Sequence, residues 1–129
     1  MGNGARAGSI RDINPSGCMK NCVNCAIAMD ATLAGRPACA LLGGFCRIDV
    51  LEKMFGSKFG ISGDISQIIE ALLTAGSGSR GIVFGVRAIG IGHVFNAVNQ
   101  HGTIRFLDGQ TGRLAVIGGF VEFRFLRTN

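Results

Sequence analysis

At 129 residues, with 47% hydrophobic and 16% charged side chains, the chain can bury roughly two thirds of its unfolded surface, enough for one core without disulfide staples or a structural metal. The apolar content excludes intrinsic disorder, and no apolar run reaches the ~18 residues of a membrane-spanning helix, so no membrane association is expected. Thirteen Lys and Arg against eight Asp and Glu give a net charge of +5. The basic residues are scattered singly from Arg6 to Arg127, with no Trp or Tyr on which bases could stack, which argues against nucleic acid as a partner.

Residues 1–12 begin Met1-Gly2-Asn3-Gly4-Ala5 and read as a flexible lead-in or a vector-derived scar, without the charged-then-apolar pattern of a secretory leader. A single domain is expected over 13–129. The turn-rich stretch from Asn14 leads to a helix with Asn21 as its N-cap. Cys22, Cys25, Ala26, Met29 and Leu33 fall at helical spacing, and Gly35 followed by Pro37 stops the run. A short helix is expected from Ile48 to Phe55, ending at Gly56. A third, capped by Asp64, carries Ile65, Ile68, Ile69, Leu72 and Leu73 and stops at Gly76.

The period then changes. β-branched and aromatic residues punctuated by glycine predict strands over 81–88, 93–100, 103–108, 114–117 and 120–126, and the His101-Gly102 spacer makes its flanking strands antiparallel neighbours. Helices first and an antiparallel sheet second is an α+β order in which the two halves pack face to face. The glycine-rich segment from Gly76 to Gly81 lacks the lysine of a phosphate loop and runs from helix into strand, the reverse of what phosphate cradling uses.

Five cysteines, Cys18, Cys22, Cys25, Cys39 and Cys46, crowd the N-terminal part of the chain. An odd count leaves at least one thiol free, and a domain with enough core does not need bridges, so reduced thiols are expected. Cys22-Val23-Asn24-Cys25 is a CxxC, but zinc needs two further ligands, and His93 and His101 lie farther apart than the gap of about three to five residues in a zinc finger. A thioredoxin-type site wants a strand before the motif, and none precedes Cys22. No metal and no cofactor is therefore expected.

A different chemistry fits better. A cysteine at a helix start faces the positive end of the helix dipole and unpaired N–H groups, which favour thiolate. His93 begins one strand and Asp108 ends the next, so the two can lie side by side across the turn near Gly102, with the acid fixing the imidazole tautomer. Each piece alone has an ordinary reading: His93 as a half-buried packing residue, Asp108 as a turn former before Gly109, Cys25 as a small core hydrophobe. Their order along this layout raises them above those readings.

Two blocks carry a family resemblance. Asn14-Pro15-Ser16-Gly17 through Asn21-Cys22-Val23-Asn24-Cys25-Ala26, with Asp30, Leu33, Ala34-Gly35 and Pro37-Ala38, and then Gly92-His93-Val94-Phe95-Asn96 with Phe106-Leu107-Asp108-Gly109-Gln110-Thr111-Gly112, resemble the papain-fold toxin domains of bacterial polymorphic toxins, described as glutamine deamidases. The resemblance spans residue 13 to about 117 and implies a papain-like cysteine-enzyme fold with a Cys-His-Asp triad. His93 and Asp108 transfer directly. Both Cys22 and Cys25 fall in the motif; capping by Asn21 favours Cys22 as nucleophile, whereas Asn24 as the cap would favour Cys25.

On this resemblance, the Cys22 thiolate attacks a glutamine carboxamide of a target protein. The oxyanion is held by N–H groups at the helix start, with Asn21 or Gln110 as a further donor or site wall, and a thioester is hydrolysed to glutamate. A cysteine protease or a transglutaminase-like acyl transferase would use the same triad, and a non-catalytic or redox CxxC module is the alternative outside enzymology. The resemblance also implies a cognate immunity protein, and delivery as the C-terminal part of a larger secreted toxin acting in the target-cell cytoplasm.

Overall fold

The computed structural model describes residues 13–15, 21–36, 38, 40 and 47–129. Cys18, Cys39, Cys46, Pro37 and most of the lead-in before residue 21 lie outside them, as do residues 1–12.

Three helices form where the apolar spacing predicts them: α1 (Cys22–Leu33), α2 (Asp49–Phe55) and α3 (Ile65–Ala75). Helix α1 begins at Cys22, not at Cys25, and ends in a turn in which Gly35 takes a φ of 88°. That conformation is open to glycine at little cost. Gly56, φ 64°, closes α2 in the same way.

The two expected caps differ from the sequence reading. Asn21 stands at the N-cap position of α1, but its side chain makes no capping bond to the helix. Asp64 likewise makes none to α3, its carboxylate accepting instead from the Ser66 hydroxyl. At Asn21 the reason is competition: the amide is engaged by Asn14, Cys25 and Gln110.

Six strands form one sheet in the order β1-β6-β2-β3-β4-β5, every neighbouring pair antiparallel. They are β1 (Gly60–Gly63), β2 (Arg80–Val86), β3 (His93–Gln100), β4 (Thr103–Asp108), β5 (Arg113–Leu114) and β6 (Glu122–Arg127). β3 and β4 have the predicted bounds and are joined through His101 and Gly102, both at positive φ (55° and 91°), as a tight primed hairpin turn requires. The strand expected over 114–117 shrinks to Arg113–Leu114, because the chain turns outward at Val116, 78% exposed, toward the Gly118-Gly119 turn. β1 has no counterpart in the sequence reading.

The sheet is covered on both faces rather than one. Val23 and Ala26 of α1 and Leu51 of α2 pack against Ile82, Val94 and Leu126. On the opposite face Ile68 and Leu72 of α3 meet Val83, Phe95, Ala97 and Phe125. β3 is consequently buried at six consecutive positions, the run expected of a strand with cover on each side. Full burial of each large apolar side chain such as Phe95, Leu72 or Ile82 contributes about 1.5–3 kcal/mol.

Polar ties fix the helices to the sheet. Arg80 Nε pairs with Asp30 Oδ1 at 3.1 Å, with side chains only 15% and 6% exposed, and the Thr128 hydroxyl donates to the same oxygen. Asn99 Nδ2 donates to the Leu72 carbonyl at 2.9 Å, satisfying the end of α3. Asn96 Nδ2 donates to Ala26 O at 3.0 Å, binding the middle of α1 to β3.

Candidate active site

The first turn of α1, the start of β3 and the end of β4 meet at one end of the sheet. Two glycines permit that approach. A Cβ on Gly92, just before His93, would lie 2.5 Å from the Gly85 carbonyl oxygen across the β2–β3 pair. One on Gly109, just after Asp108, would lie 2.8 Å from Ile13 and 3.2 Å from the Cys25 carbonyl oxygen. Only a residue without a side chain lets the β4 loop press against α1 here.

His93 Nε2 donates to Asp108 Oδ2 at 2.8 Å. The other carboxylate oxygen, Oδ1, accepts from the Gln110 backbone N–H at 3.0 Å, the local side-chain-to-backbone bond of an Asx turn. Both oxygens of Asp108 are thus occupied, and the carboxylate plane is set. With Nε2 committed, Nδ1 is the nitrogen left to face Cys22, whose thiol hydrogen-bonds to the imidazole and to the backbone N–H groups of Val94 and Val23.

The electrostatics follow from these contacts. Burial pushes the Cys22 thiol up, but the hydrogen bonds from His93, Val94 and Val23, together with the positive imidazolium, outweigh it and leave the thiol below its ordinary 9.0. Burial pushes His93 down, yet the bonds to Asp108 and Cys22 and the charges of both raise it from 6.5 to about 9. The lowered thiol and the raised imidazole act together to favour a thiolate–imidazolium pair over the neutral thiol and imidazole.

Cys22 and Cys25 are both free thiols, and they occupy different surroundings. Cys22 lines a cavity of about 410 Å³ with His93, Asp108 and Gln110. Cys25, 2% exposed, sits in the core with Ile13, Met29, Val98 and Leu107, its Sγ 3.4 Å from Asn21 Oδ1. Of the two amides singled out in the sequence, Gln110 lies on the cavity wall. Asn21, 1% exposed, lies behind that wall: its Oδ1 is 3.5 Å from Gln110 Nε2, and its Nδ2 donates to Asn14 Oδ1 at 3.1 Å.

The remaining walls come from residues to which the sequence reading gave no role, among them Arg87, Ile91, Val116 and Phe120. Arg87 is one of many isolated basic residues, and nothing in its neighbours marks it. Phe120 reads as strand alternation. Among the described residues no group of three or more His, Cys, Asp or Glu side chains is disposed to hold a metal ion, and no helix is long and apolar enough to cross a membrane.

An antiparallel sheet whose end gathers a helix-start thiol, an imidazole and a carboxylate defines the papain-like class of α+β fold. A family model described as papain fold toxin 1, glutamine deamidase, matches residues 20–113, and the chain belongs to that family. Comparison with curated proteins and with solved structures finds no match.

Proposed function

We propose that this domain is a toxin enzyme that deamidates glutamine side chains of a target protein, with Cys22 as nucleophile, His93 as acid and base, and Asp108 orienting His93. The observation that carries the reading is the hydrogen-bonded series from Cys22 through His93 to Asp108 on the wall of an open cavity, in a chain of a glutamine deamidase family. A cavity near 410 Å³ is at the small end of the range of about 300–1,000 Å³ typical of ligand sites, suited to one side chain and its flanking backbone.

The Cys22 thiolate adds to the carboxamide carbon. The carbonyl oxygen becomes an oxyanion held by N–H groups at the start of α1, with the Gln110 amide as a further donor. The His93 imidazolium gives its proton to the departing nitrogen, so ammonia leaves and a thioester forms. Neutral His93 then takes a proton from water, hydroxide adds to the thioester, and the thiolate leaves the substrate as glutamate. The positive end of the α1 dipole supports the thiolate before attack and again when it leaves.

Delivery as part of a larger bacterial toxin into the target-cell cytoplasm, and inhibition by a cognate immunity protein that covers the cavity with an acidic face, belong to the same proposal. They are supported by family membership and by the +5 charge.

Expression in a susceptible cell tests it. The parent is expected to be toxic and Cys22→Ala and His93→Ala harmless at equal protein levels, while Cys25→Ala stays toxic. Equal toxicity of all four would refute catalysis by these residues. Target fragments in place of intact deamidated protein would turn the reading to proteolysis, and incorporation of an added primary amine would turn it to acyl transfer.

A further inference from the structure

One wall of the cavity above Cys22 is built from an arginine held on two sides. The Arg87 guanidinium carbon stands 5.1 Å from the centroid of the Phe120 ring, and its Nη1 donates to the Ile91 carbonyl. Phe120 is itself fixed, packed against Phe95 and Phe123 with centroids at 6.0 and 5.5 Å. It lies over Gly85, where a Cβ would come within 2.6 Å of the ring.

A guanidinium oriented by stacking and one backbone bond keeps its remaining N–H donors in a fixed fork, the geometry that matches a carboxylate. Among the cavity-lining residues Arg87 and His93 supply the positive charge, and Asp108, with both oxygens already bonded, is the one acid. The rim around Arg87 is apolar: Ile91 and Val116, which line the cavity, are 59% and 78% exposed, and Ile89 is 91% exposed. Exposed aliphatic side chains at a cavity mouth mark a contact surface for another molecule.

We propose that Arg87 is a specificity-determining residue that binds an Asp or Glu side chain next to the reacting glutamine, so the domain selects glutamines in apolar segments bearing an adjacent acid. The inference deepens the deamidase reading and rests on it for the identity of the reacting group.

Two sets of synthetic peptides test it on the purified domain. In one set a central glutamine is flanked by leucine and by Glu, Ala or Lys; in the other a chloroacetamide side chain replaces the glutamine. In the second set the Cys22 thiolate displaces chloride, and the labelling rate is read by mass without any amide hydrolysis. The Glu-flanked peptide is expected to label Cys22 about tenfold faster than the Lys-flanked one. Arg87→Glu is expected to invert that order, and Arg87→Lys to keep it in weakened form. A Glu-to-Lys rate ratio unchanged by Arg87→Glu overturns the proposal. If the ratio follows the charge at position 87 while no glutamine peptide releases ammonia, the acid preference stands and the deamidase reading fails.

Discussion

Between Cys22 and Asp108 one imidazole carries two loads, and under the proposed mechanism the balance sets the pH range of activity. His93 is held protonated up to about pH 9 by Asp108 and Cys22, whereas the thiol titrates below 9.0. The thiolate–imidazolium pair therefore spans the interval between the lowered thiol value and about 9, and under the proposed mechanism kcat/KM is expected to fall on the alkaline side as His93 loses its proton. Asp108→Asn weakens the hydrogen bond and removes the charge by which Asp108 raises His93, so the alkaline limb moves toward 6.5, and kcat drops by about 10³-fold or more through loss of the fixed tautomer. A pH profile of ammonia release checks both. An alkaline limb that stays near 9 in the variant would mean that Asp108 does not set the imidazole. Cys25→Ala, by contrast, removes a buried thiol whose hydrogen bond to Asn21 is long, and is expected to cost about 1 kcal/mol in urea unfolding while leaving iodoacetamide labelling of Cys22 unchanged.

The elements bring these residues together through a few contacts of large consequence. Asp30 on α1 is 4% exposed and depends on Arg80 of β2 for compensation of its charge. Arg80→Met leaves that carboxylate buried beside a neutral chain and is expected to cost about 3–5 kcal/mol, read as a lowered urea midpoint. Gly92→Ala acts more locally: its Cβ would strike the Gly85 carbonyl and displace the start of β3. Activity is expected to fall more than stability does; an unaltered turnover would show that the position of His93 tolerates the shift.

Among the elements, some bounds are legible in the sequence and others are not. The bounds of β3 and β4 could be read because Gly92, Gly102 and Gly109 punctuate runs of β-branched and aromatic residues, which placed His93 and Asp108 at the same end of a hairpin. Cys22 and Cys25 both fit the helical spacing. What separates them is that the first turn of α1 faces β3 and the cavity while the next turn enters the core, a tertiary fact. β1, Gly-Ile-Ser-Gly, has no alternation and exists through pairing with β6. Arg87 and Phe120 become walls through contacts across the sheet, which no local pattern encodes.

For the whole molecule, the raised value of His93 links the site to folding. A group whose value rises on folding, from 6.5 to about 9, contributes stability that is fully present below 6.5 and lost as pH climbs through about 9. Cys22 has the opposite sign: its contribution is present above 9.0 and lost as pH falls through its lowered value. His93→Ala is accordingly expected to destabilise the domain more at pH 6 than at pH 10, measured as the difference in urea midpoint from the parent. The aromatic series from His93 through Phe95 to Phe120 couples the cavity wall to the core beneath α3, so the site is built on packed rather than mobile structure. The proposed activity is conversion of glutamine to glutamate in another protein by Cys22. The direct measurement is a proteome-wide search, in a susceptible cell, for glutamine sites that gain about one mass unit without chain cleavage under the parent domain and under Cys22→Ala. Discrete sites in the parent and none in the variant are the predicted result; the same sites in both, or none in a cell that the parent kills, would contradict it.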